Sequence, residues 1–311
     1  MSKLLSVIIP AFNEEQMVQE ASKRIRSVLN SADIPAEIIF IDDGSTDNTW
    51  GLIQKEANEF SEIKGIKFSR NFGKEAAISA GLEQSTGACS VVIDCDLQHP
   101  PEKIVEMYRL WEQGYEIIEA KKSSRGKESY ARRVCANAFY RIISKTTKID
   151  MRNASDFKLL DRKAVLAILN MKEKNSFFRA LSSWVGFKTT EISFDVQERT
   201  AGTSKWSSFG LVKYAISNIT SFSTFPMQLT TILGIITFII SIVMGMISLV
   251  QKIMGQSLEG FTTVILLQLL FSSIIMFCLG IIGYYISKIY EEIKERPKFI
   301  ISEKCNGKKD E

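Results

Sequence analysis

Two stretches without a single charged side chain constrain this chain more than any other feature. Residues 227–250 and 261–287 contain no Asp, Glu, Lys or Arg over 24 and 27 positions, and about 20 helical residues suffice to cross the hydrocarbon core of a bilayer. Helices in the core of a soluble domain carry polar residues on at least one face over such lengths, so two transmembrane helices are expected. The segment between the runs has one lysine and one glutamate, whereas Lys205 and Lys213 precede the first run and Lys288, Lys294, Arg296 and Lys298 follow the second. That asymmetry predicts a multi-pass protein of the cell membrane with both termini in the cytoplasm. Residues 4–10 are apolar over a strand's length only, so no signal peptide is expected. Gln268, Gly280 and Gly283 permit helix association into a homo-oligomer.

The segment ahead of the first run, 205–226, contains Trp206, Phe209, Val212, Ile216 and Ile219 at helical spacing. It reads as an amphipathic juxtamembrane helix, either lying in the membrane surface or packed on the preceding domain. Residues 288–311 are expected to be a cytoplasmic tail. The remaining 1–204 are expected to form one α/β domain with a mostly parallel sheet. Short apolar runs at 5–9, 37–41, 66–69, 90–93 and 115–120 alternate with helical patterns at 14–29, 46–60, 74–84 and 101–113.

Charge and composition exclude several functions. With 39 Lys and Arg against 35 Asp and Glu, the net charge is +4, too small for nucleic acid to be the default partner. The five cysteines have neither metal-ligand spacing nor a disulfide framework, and a single histidine, His99, excludes mechanisms that need two imidazoles. Neither G-x-G-x-x-G after the first strand nor G-x-x-x-x-G-K-[ST] occurs, which removes the main support for dinucleotide oxidoreductases and P-loop NTPases.

In parallel α/β sheets, ligands bind beyond the carboxyl ends of the strands. The first strand runs into Pro10-Ala11-Phe12-Asn13-Glu14, the second into Asp42-Asp43-Gly44-Ser45-Thr46-Asp47, and the fourth into Asp94-Cys95-Asp96-Leu97-Gln98. Ser45 and Asp47 also suit a helix cap. Asp94 and Asp96, read as a strand end, point the same way and repel unless a hard cation such as Mg²⁺ or Mn²⁺ joins them to a diphosphate.

These segments resemble the family 2 glycosyltransferases of GT-A fold, with their P-x-x-N-E, D-D-G-S-x-D and D-x-D motifs. The likeness extends through Arg70-Asn71-Phe72-Gly73-Lys74, Asp156-Phe157-Lys158-Leu159-Leu160-Asp161 and Arg199-Thr200-Ala201-Gly202-Thr203-Ser204-Lys205. With two C-terminal spans, the chain is similar to the polyprenyl-phosphate glycosyltransferases, the bactoprenol glucosyl transferases and dolichol-phosphate mannose synthases among them. The resemblance implies that Pro10, Ala11, Asn13, Glu14, Asp42 and Asp43 hold the nucleotide, with Arg70 and Lys74 nearby. It implies that Asp96 and Gln98 bind the metal, with Asp94 beside them or against the donor sugar. Asp156 matches an acidic residue next to the acceptor, and Arg199 and Lys205 match phosphate-facing cations. The chain departs from the pattern at Lys121-Lys122, where Arg or Thr is frequent.

Between 121 and 152 ten basic residues face two acidic ones, a surplus suited to a lipid phosphate at a cytoplasmic leaflet. Arg125, Arg132 and Arg133 are the expected phosphate ligands, because guanidinium offers paired donors. The expected activity is inverting transfer of a hexose, with UDP-glucose as donor, onto undecaprenyl phosphate. Asp156 is either a general base or an orienting residue, since a phosphate monoester is already mostly dianionic at neutral pH. A processive polysaccharide synthase would carry Q-x-x-R-W and more spans. A catalytically dead membrane scaffold or lipid-translocation partner would have no need of Asp94, Asp96 and Asp156.

Overall fold

The computed structural model of the chain describes residues 3–122, 155–171, 177–195, 225–255 and 260–307. Two compact units are present, one made of Met1–Ser207 with Pro297–Glu311 and the other of Ser208–Arg296.

The first unit is built on an eight-stranded sheet of β1 (Leu5–Ala11), β2 (Ala36–Asp42), β3 (Ile63–Phe68), β4 (Cys89–Val92), β5 (Ile117–Lys122), β6 (Lys158–Asp161), β7 (Thr189–Phe194) and β8 (Ile301–Asn306). The spatial order is β7-β5-β6-β4-β1-β2-β3-β8. Neighbours pair in parallel except where β6 meets β4 and β5 and where β8 meets β3. The expected mostly parallel sheet is therefore present. β1 and β2 are buried along nearly their whole length, the behaviour of strands covered on both faces, which is why they read as continuous apolar runs.

Helices α1 (Val18–Ser31), α2 (Thr49–Glu59), α3 (Lys74–Gln84) and α4 (Glu102–Glu112) connect the parallel strands. α1 buries Val18, Ala21, Ser22, Ile25 and Leu29, a stripe at spacings of three and four. Two short helices that the periodicity did not reveal, α5 (Arg162–Leu169) and α6 (Phe178–Trp184), follow β6. Asp161 caps α5 by accepting from the amide of Lys163.

The second unit contains α7 (Phe225–Ile253) and α8 (Phe261–Ile293). Within them, Met227–Gln251 and Leu267–Ile293 are long and apolar enough to cross a membrane, with mean hydropathies of 2.6 and 2.2. No part of either window is buried among the described residues. The expected amphipathic segment 205–226 lies outside the described residues, apart from Phe225 and Pro226, which open α7.

The reading of 288–311 as a tail is corrected. α8 continues to Ile293, and β8 then joins the edge of the first unit's sheet, pairing Gly65 with Cys305 and Phe68 with Ile301. β8 is short, polar and mostly exposed, which hides it from a search for apolar runs. Gly65 makes the close approach possible, since a Cβ there would lie 2.6 Å from the Cys305 sulfur.

Because the chain leaves the first unit, forms the two apolar helices and re-enters the same sheet, membrane crossing by both helices requires one side for both junctions. Probes at Ser2 and Lys308 are therefore expected to react from the same face of sealed vesicles, and a probe at Ser257 from the opposite face. Equal accessibility of all three positions would rule out a two-span hairpin.

Candidate active site

The parallel pairing of β1 through β4 sends the loops after these strands to one edge of the sheet. The first two loops interlock. The Asn13 side-chain oxygen accepts the Thr46 amide at 2.8 Å, and the Asn13 amide donates to Ser45 Oγ at 2.9 Å. The Glu14 amide donates to Thr49 Oγ1 at 2.9 Å, and Glu15 accepts the Asn48 amide at 3.0 Å. Asp47 accepts from both the amide and the hydroxyl of Thr49 in the first turn of α2. The Asn13 oxygen thus holds the neighbouring loop. Pro10 and Ala11 close β1, where the Ala11 carbonyl accepts the Asp43 amide at 2.9 Å.

The two adjacent aspartates differ. Asp43 accepts the amides of Phe72 at 2.7 Å and Gly73 at 2.9 Å, fixing the β3–α3 loop. Burial pushes its carboxyl above the ordinary range, the two amides oppose this, and the charge of Asp42 adds to it. Asp42 is fully buried; its Oδ1 accepts the Ser45 amide at 2.9 Å, while its Oδ2 has no hydrogen-bond partner among the described residues. A buried carboxylate oxygen without a donor is costly, so this atom fits a ligand that brings an N–H or O–H. Gly44, at φ +69°, brings the β2 loop against the Arg70–Asn71 backbone, where a Cβ would lie 2.4 Å from the Arg70 carbonyl carbon.

Asp94 and Asp96 do face the same side, but the expectation that they do so as the end of a strand is corrected. β4 stops at Val92, and the pair lies in a turn that places Leu97 at φ +55°. Ile93, Cys95, Leu97 and His99 point inward, whereas Asp94, Asp96 and Gln98 are partly exposed. Three oxygen-bearing side chains consequently reach the open side. Asp96 Oδ1 accepts the Gln98 amide at 3.1 Å. His99 stacks on Phe157 with centroids 5.1 Å apart and meets Phe194 edge-on, backing the turn from inside.

A cation neutralises Asp94 directly. The Lys74 ammonium lies 2.6 Å from Asp94 Oδ1 and 2.8 Å from Asp156 Oδ2. On its other side Asp156 receives Arg179 in paired contacts, Nε to Oδ1 at 2.6 Å and Nη2 to Oδ2 at 2.8 Å. Burial alone would raise the Asp156 carboxyl, but Lys74 and Arg179 outweigh it and hold the group far below the usual carboxylate range. Burial likewise opposes the charge on Lys74, and the two aspartates reverse that, keeping it firmly protonated. Glu75, the next residue of α3, accepts the Phe178 amide at 2.8 Å at the start of α6. Burial and the Asp156 charge push its carboxyl up to about 7.

A second cluster supports the first from below. The fully buried Lys158, two residues after Asp156, donates to Glu119 Oε1 at 2.5 Å, Ser182 Oγ at 2.8 Å and the Arg179 carbonyl at 3.3 Å. It ties α6 to the sheet and so presents Arg179 to Asp156. Lys121, one of the two lysines at which the chain departs from the family pattern, is ion-paired with Glu191.

The structure thus brings Lys74, Asp94 and Asp156 together and adds Arg179 and Glu75, which sequence reasoning missed. Arg179 sits in a seven-residue helix with no motif around it, and no local signal marks it. Arg70 lies over the Phe72 ring at 4.7 Å, at the rim of the β2 and β3 loops. Arg125, Arg132, Arg133, Arg199 and Lys205 lie outside the described residues. Among the described residues no three His, Cys, Asp or Glu side chains form a ready-made metal cage. Two carboxylates and an amide at an open edge suit Mg²⁺ or Mn²⁺ that completes its shell with water and phosphate oxygens, as hard cations at nucleotide sites do.

A mostly parallel α/β sheet with acid-bearing loops at one edge is the architecture expected of a GT-A-like domain. The glycosyl transferase family 2 model matches residues 6–169, just over half of the chain. The protein belongs to that family. It is 38% identical over 298 residues to the uncharacterized glycosyltransferase YkcC of Bacillus subtilis (strain 168), covering 95% of this chain and 92% of that one. It is 35% identical over 306 residues to the SfII prophage-derived bactoprenol glucosyl transferase of Shigella flexneri, covering 97% and 99%. Among solved structures, glucosyl-3-phosphoglycerate synthase from Mycobacterium tuberculosis superposes with a TM-score of 0.49 at 16% identity, over 69% of this chain and 76% of that one.

The raised Glu75 carboxyl has a signed consequence for stability. Between its ordinary value of 4.5 and about 7, the folded chain holds a proton that the unfolded chain has released. This contribution to stability therefore falls as pH rises through that window. Glu75→Gln preserves an acceptor for the Phe178 amide without the charge, so its apparent Tm is expected to match the wild type near pH 5 and exceed it at pH 8. Thermal unfolding in detergent at both pH values checks this; a variant less stable than wild type at pH 8 would contradict it.

Proposed function

We propose that this enzyme transfers glucose from UDP-glucose to undecaprenyl phosphate or a related polyprenyl phosphate, with inversion, giving a lipid-phosphate-linked monosaccharide. The observation that carries the reading is that the match to the Shigella bactoprenol glucosyl transferase extends over 97% of this chain, through the apolar hairpin as well as the catalytic unit. An enzyme whose acceptor is a membrane lipid gains from such an anchor, which confines it to the surface where that lipid resides. The lysine and arginine asymmetry around the two helices supports a multi-pass cell-membrane protein with the catalytic unit and both termini in the cytoplasm, where nucleotide sugars are made.

In this reading Asp42 accepts a donor group of the nucleotide base through its unpartnered Oδ2, and Asp43 holds the loop that carries Arg70. Asp96 and Gln98 hold Mg²⁺ or Mn²⁺, which when bound supplies positive charge against the departing diphosphate. Asp94 is oriented by Lys74 toward the ribose or donor sugar. Arg125, Arg132, Arg133, Arg199 and Lys205 supply cations to the acceptor phosphate and the diphosphate. Asp156 is the orienting residue: an anion clamped between Lys74 and Arg179 is a weak proton acceptor, and its charge fixes both cations at the site. The acceptor needs no strong base, because its second ionisation occurs near pH 6.

Membranes containing the protein, incubated with labelled UDP-glucose and undecaprenyl phosphate, are expected to yield lipid-linked monosaccharide; polymer or no product would refute the assignment. A donor panel tests the sugar in the same assay. Asp96→Ala is expected to lower transfer at least about 10²-fold in a folded protein, an effect of the size seen when one electrostatic stabiliser is removed. Chelator should silence the wild type, and Mg²⁺ or Mn²⁺ should restore it. Full turnover in excess chelator would remove the metal from the reaction.

Asp156→Asn is expected to keep measurable activity and to reach a plateau above about pH 7, once the acceptor is dianionic. Loss of a true general base costs on the order of 10² to 10⁴ in rate and leaves a rate that climbs with hydroxide. Such a climb in the variant alone would make Asp156 the base.

A further inference from the structure

The returning strand β8 does more than fill an edge. It begins where the β3–α3 loop begins, at a register shift between Lys67 and Phe68. There the Ser69 amide donates to the Ile300 carbonyl at 3.0 Å, and Ser302 Oγ donates to the Lys67 carbonyl at 3.1 Å. The ring of Phe299 stacks on Phe68, with centroids 5.0 Å apart and planes 10° from parallel. Phe68 in turn meets Phe72 edge-on at 5.8 Å, and Arg70 lies across the Phe72 ring. The opposite side of this loop is held by Asp43 through the Phe72 and Gly73 amides and by the close approach of Gly44. The loop is therefore gripped between the Asp42–Asp43 segment and the C-terminal strand. It leads directly into Lys74, whose ammonium joins Asp94 to Asp156.

We propose that Phe299, six residues beyond the end of α8 at Ile293, is a positioning residue for the nucleotide-sugar site. Through Phe68, on which it stacks, and Phe72, which Phe68 meets edge-on, it sets the conformation of residues 69–73 and with it the placement of Arg70 and the hydrogen bonds to Asp43. Aromatic pairs of this geometry contribute direction as well as burial, because offset and edge-on contacts fix the relative orientation of the rings. The segment that emerges from the membrane hairpin thereby becomes part of the donor site. The inference rests on the proposed donor role of the Asp42–Asp43 and Arg70 loops.

The test uses the full-length protein in detergent or nanodiscs, with initial rates measured against UDP-glucose at saturating undecaprenyl phosphate and the reverse. Phe299→Ala is expected to raise KM for the donor about tenfold with KM for the lipid within about twofold, the split expected when one substrate's binding is selectively weakened. Phe299→Tyr keeps the ring and is expected to restore the wild-type value. Phe299→Leu, which keeps apolar volume without a ring, is expected to behave as the alanine variant does and serves where that one does not accumulate.

Cys305→Ala, toward the far end of β8, provides the comparison: it is expected to lower apparent Tm without moving donor KM. A donor KM unchanged in Phe299→Ala and Phe299→Leu, or changed no more than in Cys305→Ala, would overturn the proposal. The parent reading fails differently. Wild-type protein would then neither turn over UDP-glucose nor bind UDP by calorimetry, whereas a failure confined to the Phe299 variants leaves wild-type turnover and binding intact.

Discussion

The active edge of this protein depends on one ammonium group. Lys74 stands between Asp94 and Asp156, two acids that would otherwise face each other across a partly enclosed site, and it comes from the first turn of a third element, α3. At such a place the desolvation of each carboxylate is offset only by close, directional cations, and removing a partner costs more than the pair contributes. Arg179 completes the arrangement from α6, and the buried Lys158–Glu119 pair holds α6 in position. Charges that approach within hydrogen-bonding distance from the turn after β4, the segment before β6, α3 and α6 fix how those parts meet. The same charges account for the character of Asp156, an anion secured by two cations.

The chain's path closes the catalytic unit late in the sequence. Its sheet is completed by a strand that arrives only after the two apolar helices, so the catalytic unit is incomplete without the residues that follow the hairpin. Trp50 on α2 donates to Glu303 at 3.0 Å, and Lys67 reaches the same carboxylate, so β8 is held by side chains as well as by its ladder. An added edge strand also covers the exposed hydrogen-bonding groups that β3 would otherwise present to other chains.

Much of the frame was legible because it rests on local periodicity. β1 to β5 and α1 to α4 each overlap the runs expected from apolar patterning, since central parallel strands are apolar throughout and their helices bury one stripe. β6, β7 and β8 were not legible: Lys158 in β6 is buried through ion pairing, and β8 reads Ile-Ser-Glu-Lys-Cys-Asn with mostly exposed side chains. Their strand character comes from the neighbours that supply their hydrogen bonds. The turn after β4 was misread as strand because alternation of buried and exposed residues persists through it, although its backbone has already left the sheet.

The sequence by itself determined that acids gather beyond the strand ends, that two helices are long and apolar enough for a bilayer, and that the chain resembles family 2 glycosyltransferases. These are properties of short segments, in which spacing and residue type carry the information. Only the tertiary structure decided what each polar group meets: Asp94 a lysine from α3, Asp156 that lysine and an arginine 23 residues away in sequence, and the Asn13 side-chain amide a neighbouring loop. It alone decided that the last strand lies beside β3. Contacts between segments far apart in sequence have no local signature, because the partner that makes a buried charge tolerable or an exposed segment a strand is set by the packing of the whole unit.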